Sequence, residues 1–130
     1  MSSITIWHNP KCGTSRNVLA MIRASGAEPE IILYLDTPPE PQTLARVATA
    51  VGGVRKLLRT KGTPALELGL DRASDAEILA AMATHPLLIE RPVVITPKGI
   101  LLARPSERVL EVLDRPLPPG FTREDGKPVG

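Results

Sequence analysis

The chain has 130 residues, 42% of them apolar, with 16 basic against 14 acidic side chains and a net charge of +2. That size fits one compact domain able to bury a core without staples, and one cysteine excludes an internal disulfide. Trp7, Tyr34 and Phe121 are the only aromatic residues, too few for a single-stranded nucleic-acid platform, and no run of like charge suits DNA or a membrane surface. Arginine outnumbers lysine, and its planar fork suits tetrahedral oxyanions, so a small anionic substrate is the better expectation.

The opening Met1 to Trp7 lacks a basic segment, a long apolar stretch and a small-residue cleavage site, and no stretch of about eighteen apolar residues follows. A cytoplasmic protein with reduced thiols is expected. Ile4 to Trp7 reads as a short buried strand, His8 to Lys11 as a loop and Gly13 to Ser25 as a helix. Val18, Leu19 and Ile22 form its inner face, and Gly26 ends it. Glu30 to Leu35 reads as a second strand, completing a parallel βαβ unit.

The Pro38 to Pro41 punctuation opens a helical insertion over about 40–89, with pieces at 42–51, 53–59 and 74–84; Ser74 is the expected cap of the last, and Ile78, Leu79 and Met82 keep its spacing. Val93 to Thr96, the turn Pro97-Lys98-Gly99, and Ile100 to Ala103 read as a hairpin. Pro105 suits the first position of a closing helix that turns Val109, Leu110, Val112 and Leu113 inward. Residues 115–130 are expected to wrap the surface or fray. The order βαβ, helical insertion, ββα predicts one α/β domain over 1–130, a thioredoxin-like four-stranded mixed sheet flanked by helices.

In Asn9-Pro10-Lys11-Cys12-Gly13-Thr14-Ser15-Arg16 the cysteine falls where loop becomes helix. Unpaired backbone N–H groups and the helix dipole favour an anion there, and Lys11 and Arg16 add positive charge. Cys12 is therefore expected to be a thiolate nucleophile. Ser15 stands where a dithiol oxidoreductase carries its second cysteine, so resolving thiols must come from another molecule. A phosphatase-like loop would need an arginine at position 18, which is valine. His8, Lys11 and Ser15 are candidates for tuning the thiolate. His85 beside Pro86 reads as a helix terminus without chemistry, and no metal-ligand spacing occurs.

The chain resembles the glutaredoxin-linked, single-cysteine arsenate reductases of bacteria. The matches are His8-Asn9-Pro10 before Cys12-Gly13-Thr14-Ser15-Arg16-Asn17, Ile31 to Leu35, Val54 to Arg59, Arg91-Pro92-Val93-Val94, Arg104-Pro105-Ser106-Glu107 and Phe121 to Gly126. The resemblance implies Cys12 as the catalytic thiol and Arg59, Arg91 and Arg104 as arsenate-binding groups. It also implies a cis Arg91-Pro92 bond, glutathione as co-substrate, glutaredoxin as partner and no bound cofactor. Lys11 departs from the family, where a small residue is common. Two alternatives stay open at this level: a glutathione-dependent thiol oxidoreductase of the same fold that does not act on arsenate, and a polymerase-binding redox regulator. Cys12-x-x-Ser15 argues against the disulfide sensing of the second.

Overall fold

The computed structural model describes residues 3–124 and 126. They form two contact-dense units, one running to Leu33 and resuming at Arg91, the other spanning Tyr34–Glu90. The first unit holds β1 (Thr5–Trp7), α1 (Gly13–Ala24), β2 (Glu30–Ile32), β3 (Val93–Thr96), β4 (Gly99–Leu102) and a 3-10 helix over Ser106–Val112. Its four-stranded sheet has the order β2-β1-β3-β4. β1 pairs parallel to β2, with Ile6 opposite Ile31, and antiparallel to β3, with Ile6 opposite Val94. The mixed thioredoxin-like arrangement expected from the element order is the one observed.

One apolar cluster holds this unit together. Ile4, Ile6, Val94 and Leu101 from the sheet region meet Val18, Met21 and Ile22 of α1 and Val109 and Val112 of the 3-10 helix. Leu19 is only partly buried and Met21, on the same stripe, is fully buried. α1 ends as expected: Gly26 takes φ +97°, and the N–H of Ala27 reaches Ile22 O at 3.4 Å, a hydrogen-bonded close that a residue with a Cβ would strain. Ile22 has no exposed surface, so Ile22→Ala is expected to lower unfolding free energy by about 3 kcal/mol, measured by urea denaturation.

Three expectations are corrected in this unit. β2 stops at Ile32 rather than Leu35. The N–H of His8 makes the last pairing, to Ile32 O at 2.9 Å, after which the chain that continues β1 turns away into the Cys12 loop and the ladder does not extend past Ile32. β4 begins at Gly99 and ends at Leu102, so the hairpin turn is the two residues Pro97 and Lys98. The closing helix is 3-10, with Pro105 as its cap rather than its first residue. With three residues per turn, Ser106, Val109 and Val112 share the buried stripe and Leu110 turns outward.

The Tyr34–Glu90 unit contains α2 (Pro41–Ala50), α3 (Val54–Leu57), α4 (Asp75–Thr84) and a 3-10 turn over Pro86–Leu88. Leu44, Val47, Leu57, Ile78, Met82 and Leu88 are fully buried. Ser74 caps α4 as expected: its hydroxyl accepts from Glu77 N–H at 3.2 Å while its own N–H donates to Glu77 Oε1 at 3.0 Å. The helix expected over 53–59 is shorter because Leu58 bridges Ile89 and the N–H of Arg59 donates to Leu88 O at 2.8 Å. This strand-like pairing takes the backbone out of the helix. No helix of the described residues is long and apolar enough to cross a membrane.

The 115–130 tail is irregular where described, and residues 125 and 127–130 lie outside the described residues. It is tied down at several points. Phe121 packs against the apolar cluster, Arg123 pairs with Glu107 at 3.3 Å, and the N–H of Glu124 donates to Asn17 Oδ1 at 3.0 Å.

Candidate active site around Cys12

Cys12 is the N-cap of α1, in extended backbone (φ −98°, ψ 122°), with no side-chain capping hydrogen bond. Its partly exposed thiol is the one free thiol of the chain. The sequence dictates this placement. Pro10 cannot extend β1 into the loop, Asn9 turns the chain by accepting Lys11 N–H on Oδ1 and Cys12 N–H on its carbonyl, each at 3.0 Å, and α1 carries no acidic residue in its first turn. The helix therefore begins with its amide groups aimed at an anion and no carboxylate of its own opposing one.

The thiol pKa lies below its ordinary value. Burial raises it, but the N–H of Ser15, the charge of Arg91, the Arg104 guanidinium and the N–H of Thr14 together outweigh that cost. Thr14 and Ser15 are the second and third helical residues, the positions whose amides an N-cap side chain normally satisfies. The amides that favour the thiolate are thus those at the start of the helix. Nη1 of Arg104 lies 3.9 Å from Cys12 Sγ and donates to Arg91 O at 3.1 Å, so Arg104 links the thiol to the segment bearing the second arginine. Both Arg91-Pro92 and Arg104-Pro105 are cis; the first agrees with what the resemblance implies, and the second lies outside it.

Because folding lowers this pKa, Cys12 is expected to react with iodoacetamide along a pH profile whose midpoint lies below that of a free thiol. The rate rises as pH climbs through the midpoint. The linked stability is present above the ordinary thiol range and fades as pH falls through the lowered value.

The other expected tuning residues take different places. His8 is 6% exposed and shares a 2.6 Å hydrogen bond between Nδ1 and Ser15 Oγ. Burial first, and then the charges of Arg23 and Arg16, hold its imidazole below the usual histidine range, so at neutral pH it is the uncharged ring. It is not an imidazolium facing the thiolate. Ser15 has no exposed surface, and its hydroxyl also accepts from Asn9 N–H at 3.0 Å. The serine hydroxyl ties the loop to α1 while its backbone N–H favours the thiolate. Lys11 is exposed.

Arg59 belongs to the Tyr34–Glu90 unit. It is half-buried and just past α3, with Nε donating to Lys61 O at 3.2 Å. The structure thus gathers Cys12, Arg91, Arg104, His8 and Ser15 within one unit. Sequence reasoning missed the clasp in which Arg16 donates to both carboxylate oxygens of Glu124, at 2.8 and 3.0 Å. The two residues lie 108 positions apart, and no local pattern reveals such a pair.

Residues 7–112 match the ArsC family. The chain belongs to that family. An arsenate reductase of Escherichia coli is 52% identical over 99% of this chain and 94% of its own length, and an arsenate reductase of Rhizobium meliloti (strain 1021) is 50% identical over 98% of this chain and 93% of its own. Among solved structures, the arsenate reductase from Vibrio cholerae superposes with a TM-score of 0.81 at 43% identity, covering 85% of this chain and 98% of that one. This ArsC-family chain thus spans nearly the full length of these relatives, and its fold is theirs.

Proposed function

We propose that this protein is an arsenate reductase that draws its electrons from glutathione and glutaredoxin in the cytoplasm. The observation that carries the reading is a lone cysteine at a helix amino terminus whose thiolate is favoured by two backbone amides and two arginines. Membership of the ArsC family supports the substrate. The lack of a second cysteine supports an external supply of thiols, since one sulfur cannot resolve its own adduct.

Cys12 is the nucleophile. Its sulfur bonds to the pentavalent arsenic of arsenate as one oxygen leaves as water, and glutathione's thiol then adds to the arsenic with loss of a second water. A glutaredoxin thiolate attacks the glutathione sulfur. The sulfur–arsenic bond to glutathione breaks with its electron pair left on arsenic, which becomes trivalent, and a glutaredoxin–glutathione disulfide departs. Water then displaces Cys12 from arsenic, releasing arsenite and regenerating the thiol.

Arg91 and Arg104 neutralise the oxyanion while keeping the thiol ionised, because a guanidinium can hold two oxygens and does not lose its proton. Arg59 is assigned to the oxyanion on the sequence resemblance alone. The test is arsenate-dependent NADPH oxidation in the presence of glutathione, glutathione reductase and glutaredoxin, with each thiol component omitted in turn. Turnover that needs both supports the reading. Turnover with glutathione alone would remove glutaredoxin from it, and no arsenate-dependent turnover would favour a thiol oxidoreductase on the same fold.

A further inference from the structure

All three nitrogens of the Arg16 guanidinium are engaged. Nε and Nη2 donate to Glu124 Oε2 and Oε1 at 3.0 and 2.8 Å, and Nη1 donates to Pro10 O at 2.8 Å. One side chain thereby joins α1, the loop that leads into Cys12 and the carboxy-terminal tail. The tail is held independently of this pair, by Asn17 Oδ1 on Glu124 N–H and by the Arg123–Glu107 contact, so the carboxylate is delivered to Arg16 by an anchored segment. Gly13, next to Cys12, leaves the room: a Cβ there would stand 3.2 Å from Glu124 Oε1 and 3.6 Å from Arg16 Nη2.

Such a clasp is solvent-accessible, with 45% and 44% of the two side chains exposed, and as a stability device it is worth little. Its position gives it another consequence. Arg16 lies within electrostatic reach of the thiolate, and the two charges favour each other. Glu124 is the competing anion for the same guanidinium.

We propose that Glu124 is a positioning residue of the Cys12 site, acting through Arg16. Its carboxylate keeps the guanidinium seated on the Pro10 carbonyl, which fixes the Asn9 to Lys11 loop and offsets part of the Arg16 charge felt by the thiolate. The oxyanion is then left to the other arginines of the proposed site. This inference rests on the reading of Cys12 as the nucleophile. The charged groups that act most on Cys12 in its own unit are Arg91 and Arg104; Arg16 is coupled to the thiolate more weakly, and Glu124 modulates that weaker coupling.

The test follows alkylation of Cys12 by iodoacetamide across pH in the wild type, Glu124→Gln, Arg16→Gln and the double variant, with thermal unfolding alongside. In Glu124→Gln the carboxylate charge is gone, and the Arg16 charge acts more fully on the thiolate. The profile shifts to lower pH, and alkylation below the wild-type midpoint becomes about threefold faster. In the Arg16→Gln background the carboxylate has lost its tether and is screened by solvent, so adding Glu124→Gln changes the rate by less than about 1.5-fold.

A Glu124→Gln profile that superimposes on the wild type while the unfolding temperature falls would reduce the clasp to a structural tie and overturn the proposal. An equal shift in both backgrounds would also overturn it, because Glu124 would then act without Arg16. The assay uses neither arsenate nor glutathione. Failure here therefore leaves the reductase reading standing, and failure of arsenate turnover leaves this test readable.

Discussion

Cys12→Ser is expected to abolish arsenate-dependent turnover, lowering it by at least about a thousandfold. A serine hydroxyl is not ionised at neutral pH, however well the Thr14 and Ser15 amides and Arg104 are placed to receive an anion, and it offers arsenic no thiolate to form the adduct. The replacement removes the chemistry while leaving the shape nearly intact. Cys12 is partly exposed and lies outside the apolar cluster, so stability should change by no more than about 0.5 kcal/mol. Coupled turnover and urea denaturation of the same preparation check both halves. A variant that keeps more than a few per cent of turnover while folded would place the nucleophile elsewhere.

Arg104→Ala is expected to lower kcat/KM for arsenate by about 10²- to 10³-fold. The guanidinium does three things at once. It stands 3.9 Å from Cys12 Sγ, donates to Arg91 O at 3.1 Å, and on the proposed reaction carries charge for the oxyanion. Its removal withdraws a group that favours the thiolate, so the thiol pKa rises and alkylation below the wild-type midpoint slows. It also frees the carbonyl that holds the Arg91 segment. Arg104→Lys restores charge without the planar fork and should recover only part of the loss. Steady-state kinetics on the three proteins, read beside their alkylation profiles, separates the effect on the nucleophile from that on the substrate.

The placement of Cys12 was legible because it depends on local chemistry. A proline-bearing loop after a strand, followed by glycine and a helix-compatible run, puts the residue at a helix amino terminus whatever the rest of the chain does. The same holds for the Ser74 cap and for the Gly26 stop. What the sequence left open depends on partners far along the chain. β2 ends at Ile32 because of where its neighbour stops, α3 ends at Leu57 because Leu58 bridges Ile89, and the 3-10 winding of Ser106–Val112 shows itself only in which side chains are buried.

The site divides the same way. Cys12 and the amides of Thr14 and Ser15 follow from helix-terminus physics. Arg91 and Arg104 are named by the family resemblance, since nothing in their spacing marks them, and the 3.9 Å approach of Arg104 to Cys12 Sγ depends on tertiary structure. His8 is a candidate for tuning the thiolate on sequence, whereas its burial and its bond to Ser15 make it a neutral tie between loop and helix. No local pattern carries that distinction, because it turns on whether a loop histidine is covered.

The most direct test of the account is the arsenite formed by wild-type protein supplied with arsenate, glutathione and glutaredoxin, quantified against Cys12→Ser. Stoichiometric arsenite from the wild type and none above background from the variant is the predicted result. Equal arsenite from both proteins, or none from folded wild type, would contradict the assignment of Cys12 as the arsenate-reducing thiol.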